Sequence, residues 1–320
     1  MRFAHSIPSI ALLLAVSSCK PPIELTPPPA DSPAALVALS GASIMIGVGD
    51  IASCTQILSR GTAALVDSVL RADSIAKVDD VAITMGDNAY TSGTAAQFTN
   101  CFTPTWGDPQ KRILKKLHPV PGNHEYYSAD AAPYYKYFGS AAGSVGKGYY
   151  SYDVGAWHVI ALNTEILVSP LFTDSASKAE LDWLEKDLKA HKTLCTVAYG
   201  HHPRFSSGWH GSDPSLGRLW QLFYDNGVDL VLTGHDHDYE RFLPMTPAGA
   251  VDTAKGVTQI IAGTGGEELR GFRKAVLPAS AARIMGRAGV LLLTLGKAEY
   301  RSAFLEVGGR IWDQSGGKCH

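Results

Sequence analysis

An α/β fold with parallel strands is the expectation, and three observations give it. Short apolar runs alternate with stretches of helical spacing. Five of those runs stop at a glycine, and Asp50, Asp87, Asn123, His201 and His235 follow within a residue or two. No linker divides the chain after Ser43, so residues 43–320 are expected to form one domain.

The elements follow in order. Ile44 to Val48 is an apolar run that stops at Gly49-Asp50. Gly61 to Ala76 places Leu65, Val69 and Leu70 at helical spacing. Val81 to Met85 is a second run, stopping at Gly86-Asp87-Asn88-Ala89-Tyr90. A helix is expected over Lys111 to Leu117, and His118 to Pro121 then leads into Gly122-Asn123-His124-Glu125. This strand–helix–strand rhythm predicts parallel strands with right-handed crossovers. Tyr149 to Asp153 and Trp157 to Leu162 read as a hairpin around Gly155. Lys178 to His191 is the clearest helix, with Leu181, Leu184 and Leu188 as its apolar stripe. Thr193 to Tyr199 reads as a strand ending at Gly200-His201-His202-Pro203, and Leu216 to Tyr224 as a helix stopped by Asn226-Gly227. Val228 to Leu232 reads as a buried strand running into Thr233-Gly234-His235-Asp236-His237-Asp238-Tyr239-Glu240-Arg241. Val257 to Ala262, Val290 to Leu295 and Arg301 to Val307 are expected to be strands of a second sheet.

The bulk properties exclude some functions. A formal net charge of -2 gives no basic field for nucleic acid. At the N-terminus, Arg2, an apolar run from Ile7 to Val16 and Val16-Ser17-Ser18-Cys19 resemble a bacterial lipoprotein signal. Residues 1–18 are then the signal peptide and Cys19 is the acylated residue. Residues 19–42, rich in proline, form an extended tether. The expected location is the cell envelope, on the periplasmic or outer-membrane face, with the lipid as the membrane contact. An ordinary cleaved secretory signal is the alternative. Of the 5 cysteines, Cys54, Cys101, Cys195 and Cys319 remain, and an oxidising compartment predicts two disulfides. Three pairings are open; Cys54–Cys101 with Cys195–Cys319 is preferred, since the second would pin the C-terminus.

The strand ends carry the chemistry. Ends of parallel strands lie along one sheet edge, where α/β proteins bind ligands. His235 and His237 leave their strand at alternate positions, and alternate side chains of an extended segment point the same way. Neutral imidazoles held so are ligands for zinc, iron or manganese.

Together, Gly49-Asp50, Gly86 to Tyr90, Gly122 to Glu125, the strand ending in His201 and the run from Gly234 to Arg241 resemble the calcineurin-like metallophosphoesterases. GDNAY (Gly86 to Tyr90) and the run from His201 to Gly211 resemble, more narrowly, the purple acid phosphatases, in a small single-domain form. The resemblance implies a four-layer αββα sandwich of two mixed sheets flanked by helices. It also implies two metal ions, Fe(III) paired with Zn, Mn or Fe(II), with Asp87 bridging them. Asp50, Tyr90 and His237 would complete one site, and Asn123, His201 and His235 the other. The implied reaction is hydrolysis of a small phosphate monoester by in-line attack of a metal-bound hydroxide. His124 is implied to contact phosphate and His210 to protonate the leaving oxygen; no obligate protein partner is implied.

Further residues are assigned beside these. His202 either faces the cleft or packs, Arg204 either contacts a substrate anion or is a rim charge, and Glu125 either orients His124 or caps a turn. Tyr239 and Arg241 read as scaffold, with Arg241 pairing a carboxylate. One departure stands out: relatives open with Asp-x-His, whereas position 52 is Ala52. Tyr90 is the residue able to replace the missing imidazole. A phosphodiesterase on the same site, and a non-catalytic metal- or phosphate-binding lipoprotein, are the competing readings.

Overall fold

The computed structural model describes residues 42–55, 57–76, 78–192 and 195–320. The expected signal segment, Cys19 and the tether up to residue 41 lie outside the described residues, as do residues 193–194. Among the described residues no helix is long and apolar enough to cross a membrane.

Two mixed sheets face each other. The first has six strands in the order β13-β12-β11-β1-β2-β3, and the second has seven in the order β10-β8-β9-β7-β6-β5-β4. In the first, β1 (Ser43–Val48), β2 (Asp80–Met85) and β3 (Leu117–Val120) are parallel. The C-terminal strands β11 (Gly289–Leu295), β12 (Glu299–Glu306) and β13 (Ile311–Lys318) extend it antiparallel from β1. In the second, β5 (Trp157–Ala161), β6 (Cys195–Tyr199), β7 (Leu230–Thr233) and β9 (Thr258–Ala262) are parallel. Antiparallel edges are added by β4 (Tyr150–Val154), β8 (Tyr239–Phe242) and β10 (Ser280–Ile284).

The apolar runs are continuous because both faces of these strands are covered. Along β5, β6, β7 and β9, Val159, Val197, Leu230, Leu232 and Ile260 join the core between the sheets. Their neighbours Ile160, Ala198, Val231 and Ile261 join a second core on the outer face. That outer core is closed by α3 (Asp174–Ala190) through Leu181, Leu184 and Leu188, and by α4 (Gly217–Asp225) through Leu219, Trp220 and Phe223. α1 (Leu58–Ala76) packs Ala63, Val66 and Leu70 against the six-stranded sheet, and α2 (Ala132–Phe138) follows the third strand end. Thr173 starts α3 by accepting a hydrogen bond from the Ala176 N–H at 3.3 Å.

Two expectations are corrected. The helix expected over Lys111 to Leu117 is a single turn, Ile113–Lys116, and Leu117 already begins β3. The three late strands do not share a sheet: Val257 to Ala262 falls on β9 beside β7, while the other two fall on β11 and β12 beside β1. β10, which no apolar run announces, alternates between exposed and intermediate positions, the mark of an edge.

Both disulfides form, pairing Cys54 with Cys101 and Cys195 with Cys319. Arg241 reaches from the seven-stranded sheet to Asp313 of the six-stranded one through two hydrogen bonds, 2.6 and 3.0 Å, and the Tyr239 hydroxyl donates to the same carboxylate at 2.8 Å.

At the far end of the sheet His158, 1% exposed, lies between Asp153 (2.8 Å) and Asp187 (2.8 Å). Burial disfavours its charged form, but the bonds to Asp187 and Asp153 outweigh that and raise its pKa. A raised folded-state pKa stabilises the fold below the unfolded value, about 6.5, and that stabilisation is lost as pH rises through the folded value. Thermal unfolding across pH checks this: the advantage of the native chain over His158→Gln is expected to be largest under mildly acidic conditions and to shrink under alkaline ones.

Candidate metal centre

The strand ends converge at one edge of the facing sheets. Asp50 follows β1, Asp87 follows β2, Asn123 follows β3, His201 follows β6, and His235 and His237 follow β7. Glycines permit the approach. A Cβ on Gly122 would stand 2.2 Å from Asp87 Oδ1, one on Gly234 2.5 Å from Asp50 Oδ2, and one on Gly86, at φ +81°, 2.6 Å from His201 Nδ1. Asp50, Asp87 and His235 themselves take positive φ, 61°, 50° and 71°. Non-glycine residues in this region are held there by their surroundings, and such strain gathers at functional sites.

Two groups of donor atoms share Asp87 Oδ2. In one, the Tyr90 hydroxyl lies 2.7 Å from Asp50 Oδ1, 2.9 Å from Asp87 Oδ2 and 3.2 Å from His237 Nε2. His237 Nε2 lies 3.3 Å from Asp50 Oδ1. In the other, His201 Nε2 lies 3.3 Å from Asp87 Oδ2, 3.1 Å from Asn123 Oδ1 and 3.2 Å from His235 Nδ1. All seven residues singled out as metal donors in the sequence are therefore brought together. The second oxygens of the aspartates are held by backbone: His235 N–H donates to Asp50 Oδ2 (2.8 Å) and His124 N–H to Asp87 Oδ1 (2.9 Å). The far nitrogens of two rings are fixed by carbonyls, His201 Nδ1 on Met85 (2.8 Å) and His237 Nδ1 on Glu268 (2.7 Å). Such outer bonds turn the facing nitrogen into a lone-pair donor.

The donor set fits a pair of cations. Ligands bonded to one ion at about 2.0–2.2 Å stand about 3 Å apart, which is the spacing in both groups. Asp50, Asp87 and Tyr90 are nearly fully buried side by side. Burial, then Asp50 and Asp87, push the Tyr90 phenol well above its ordinary pKa, so ionising it needs a compensating positive charge. Burial likewise works against the Asp87 carboxylate, but His201 and His124 hold it below the usual range.

Ala52 explains the departure at the first strand end. It pairs with Ala89 as a β-bridge, and Tyr90 N–H donates to its carbonyl at 2.8 Å. The loop carrying Tyr90 is thereby drawn against Asp50, with the Tyr90 hydroxyl 2.7 Å from Asp50 Oδ1. The alternation argument for His235 and His237 is corrected: a left-handed residue breaks the extended run, so His235 presents Nδ1 to one group and His237 presents Nε2 to the other.

The remaining residues flank the centre. His124 Nδ1 bonds the Thr91 carbonyl (2.6 Å), and its Nε2 is 3.7 Å from Asp87 Oδ2. Glu125 does not orient it: this buried carboxylate accepts the N–H groups of Asn88 (2.8 Å), Ala89 (3.2 Å) and Gly122 (2.8 Å), tying two strand-end loops together. Burial, with Asp87 nearby, raises the Glu125 pKa to about 8. His210 stacks on His235 with ring centres 4.1 Å apart. His202 is buried, bonds Thr164 Oγ1 at 3.0 Å, and lines a cavity of about 150 Å³ with His210 and His235, so it both packs and borders the cleft. Arg204 turns aside, lying over the Phe205 ring (4.7 Å) and donating to the Asp213 carbonyl (3.3 Å).

Two contributors escaped the sequence. Asp236 is fully buried, and its Oδ1 accepts from both His210 N–H (2.7 Å) and His210 Nδ1 (3.0 Å). Its place between two histidines was the available signal. Thr164 Oγ1 accepts the N–H groups of His201 (3.1 Å) and His202 (3.0 Å), and nothing in its sequence surroundings marks it.

The chain resembles known proteins in sequence and in fold. The chain is 29% identical over 204 residues to human acid phosphatase type 7, covering 52% of this chain and 46% of that protein. It is 27% identical over 202 residues to Arabidopsis thaliana purple acid phosphatase 17, covering 50% and 54%. The chain thus spans about half the length of the curated relatives it matches. A purple acid phosphatase from yellow lupin seeds superposes with a TM-score of 0.71 at 17% identity over 87% of this chain and 54% of that one, which shows the shared αββα fold. The calcineurin-like phosphoesterase family model matches residues 48–239, more than half of the sequence and the whole span from the end of β1 to the start of β8, and the chain belongs to that family.

Proposed function

We propose that the protein is a metal-dependent phosphomonoesterase with two cations sharing Asp87. The observation that supports this most is the pair of donor groups meeting at one carboxylate oxygen, Asp87 Oδ2. In this reading Asp50, Asp87, Tyr90 and His237 hold one ion, and Asp87, Asn123, His201 and His235 hold the other. Carboxylate and phenolate suit a hard ferric ion, while imidazole with an amide oxygen suits zinc, manganese or ferrous iron. Such a pair would supply a bound water of lowered pKa and positive charge for the phosphoryl oxygens.

The protein's own residues then divide the remaining work. His124, held by the Thr91 carbonyl, contacts a phosphate oxygen. Asp236 Oδ1 accepts from His210 Nδ1 and fixes the ring, so that the imidazolium form of His210 would carry a second proton on Nε2 for the leaving oxygen. A well-placed acid contributes about 10²–10⁴-fold. The cleft is lined by two imidazoles besides the metal donors, which suits the dianionic phosphoryl group of a monoester. The lipoprotein-type N-terminus and the two disulfides support a place in the cell envelope.

The test is turnover of p-nitrophenyl phosphate against bis(p-nitrophenyl) phosphate by metal-loaded protein, with metal analysis. The monoester is expected to be hydrolysed faster. Faster diester turnover would make the protein a phosphodiesterase, and no turnover of either would make it a binding protein.

A further inference from the structure

A cationic segment lies across the mouth of the centre. Arg270 N–H donates to the His237 carbonyl (2.9 Å) and Lys274 N–H to the Ser207 carbonyl (3.2 Å), so both ends are fastened to the residues that build the site. The segment carries three cations, Arg270, Arg273 and Lys274, beside His210 and its neighbours Trp209 and Gly211. The Arg270 guanidinium is 3.4 Å from His210 Nε2 in a solvent-exposed contact, and among the described residues Arg270 forms no ion pair. Arg273 lies over the ring of Trp209 at 4.0 Å, and Trp209, the neighbour of His210, is 43% exposed. Lys274 passes Gly211, where a Cβ would come within 3.2 Å of its Cε. With no carboxylate partner among the described residues, the Arg270 guanidinium is available to an anion from solution. Its planar fork matches a carboxylate or a phosphate.

We propose that Arg270, backed by Arg273 and Lys274, binds an anionic group on the leaving-group side, so that the preferred substrates are phosphate esters whose leaving group carries its own negative charge. The side follows from the contact with His210, the residue that faces the leaving oxygen in the phosphomonoesterase reading on which this inference rests. Arg270 acts on specificity and takes no part in breaking the bond.

Two ligands that cannot be hydrolysed test it, 4-carboxybenzylphosphonate and benzylphosphonate, titrated calorimetrically into the metal-loaded full chain. The carboxylate is expected to bind native protein about tenfold more tightly, the usual value of one charge-assisted contact. In Arg270→Gln that gap is expected to fall below about twofold, and in Arg270→Lys, which keeps the charge without the fork, to recover in part. Equal affinities in the native protein, or a gap that persists in Arg270→Gln, overturn the proposal. Turnover of p-nitrophenyl phosphate by the same preparations keeps the two readings apart. Absent turnover sinks the phosphomonoesterase reading, whereas intact turnover without a carboxylate advantage sinks this inference alone.

Discussion

Replacing Asp87 by asparagine is expected to lower kcat/KM by about 10³-fold or more and to strip cations from the protein. The reasoning is local. Asp87 Oδ2 is the one atom within 3.3 Å of donors from both groups, and Oδ1 is already committed to the His124 N–H at 2.9 Å. An amide supplies one oxygen and no charge. It satisfies either the backbone bond or the shared position, and in the second case leaves only Asp50 and an ionised Tyr90 to balance two ions. Metal analysis and steady-state kinetics on the same sample check it. His210→Ala is the control, because it is expected to lose about 10²–10⁴-fold in kcat while keeping its metal. An Asp87→Asn protein with full metal content and near-native rates would remove the basis of the shared-cation reading.

The largest stability effect is expected from Arg241→Ala, about 3–5 kcal/mol, read as a fall in thermal and denaturant midpoints. Arg241 and Asp313 are 14% and 12% exposed in their side chains, and they join strands β8 and β13 from different sheets. Removing the guanidinium strands a carboxylate that also receives the Tyr239 hydroxyl, so the cost is that of an unpaired buried charge rather than of a lost contact. Asp313→Ala in the same background is expected to recover part of the loss, since it removes the stranded group. A fall of about 0–1 kcal/mol, typical of exposed pairs, would mean that solvent already screens the clamp.

How much of this was legible follows from the range of the interactions. Strands buried on both faces announce themselves as apolar runs, and the glycine after each run marks where the backbone must turn, so β1, β2, β6 and β7 and their terminal donors could be read locally. The sharing of strands between sheets could not: β9 and β11 are equally apolar, and only long-range pairing sends one beside β7 and the other beside β1. β10 and β13 were invisible because edge strands exposed on one side carry no apolar run. Within the site, the donors were found because metal chemistry restricts residue types, whereas Thr164 and Glu125 act through backbone amides that many side chains could satisfy. Asp236 stood in plain view, but its partner His210 lies 26 positions away. Lys111 to Leu117 misled because helical spacing in seven residues cannot be told from a turn running into a strand.

The absence of side-chain room at Gly86, Gly122 and Gly234 has a consequence for how such a protein diversifies. Any larger residue there would push directly on His201, Asp87 or Asp50, so these positions are closed to gradual change. In the proposed reading, change in what is hydrolysed is thereby steered outward, to the largely exposed segment 267–279, while the interior stays frozen.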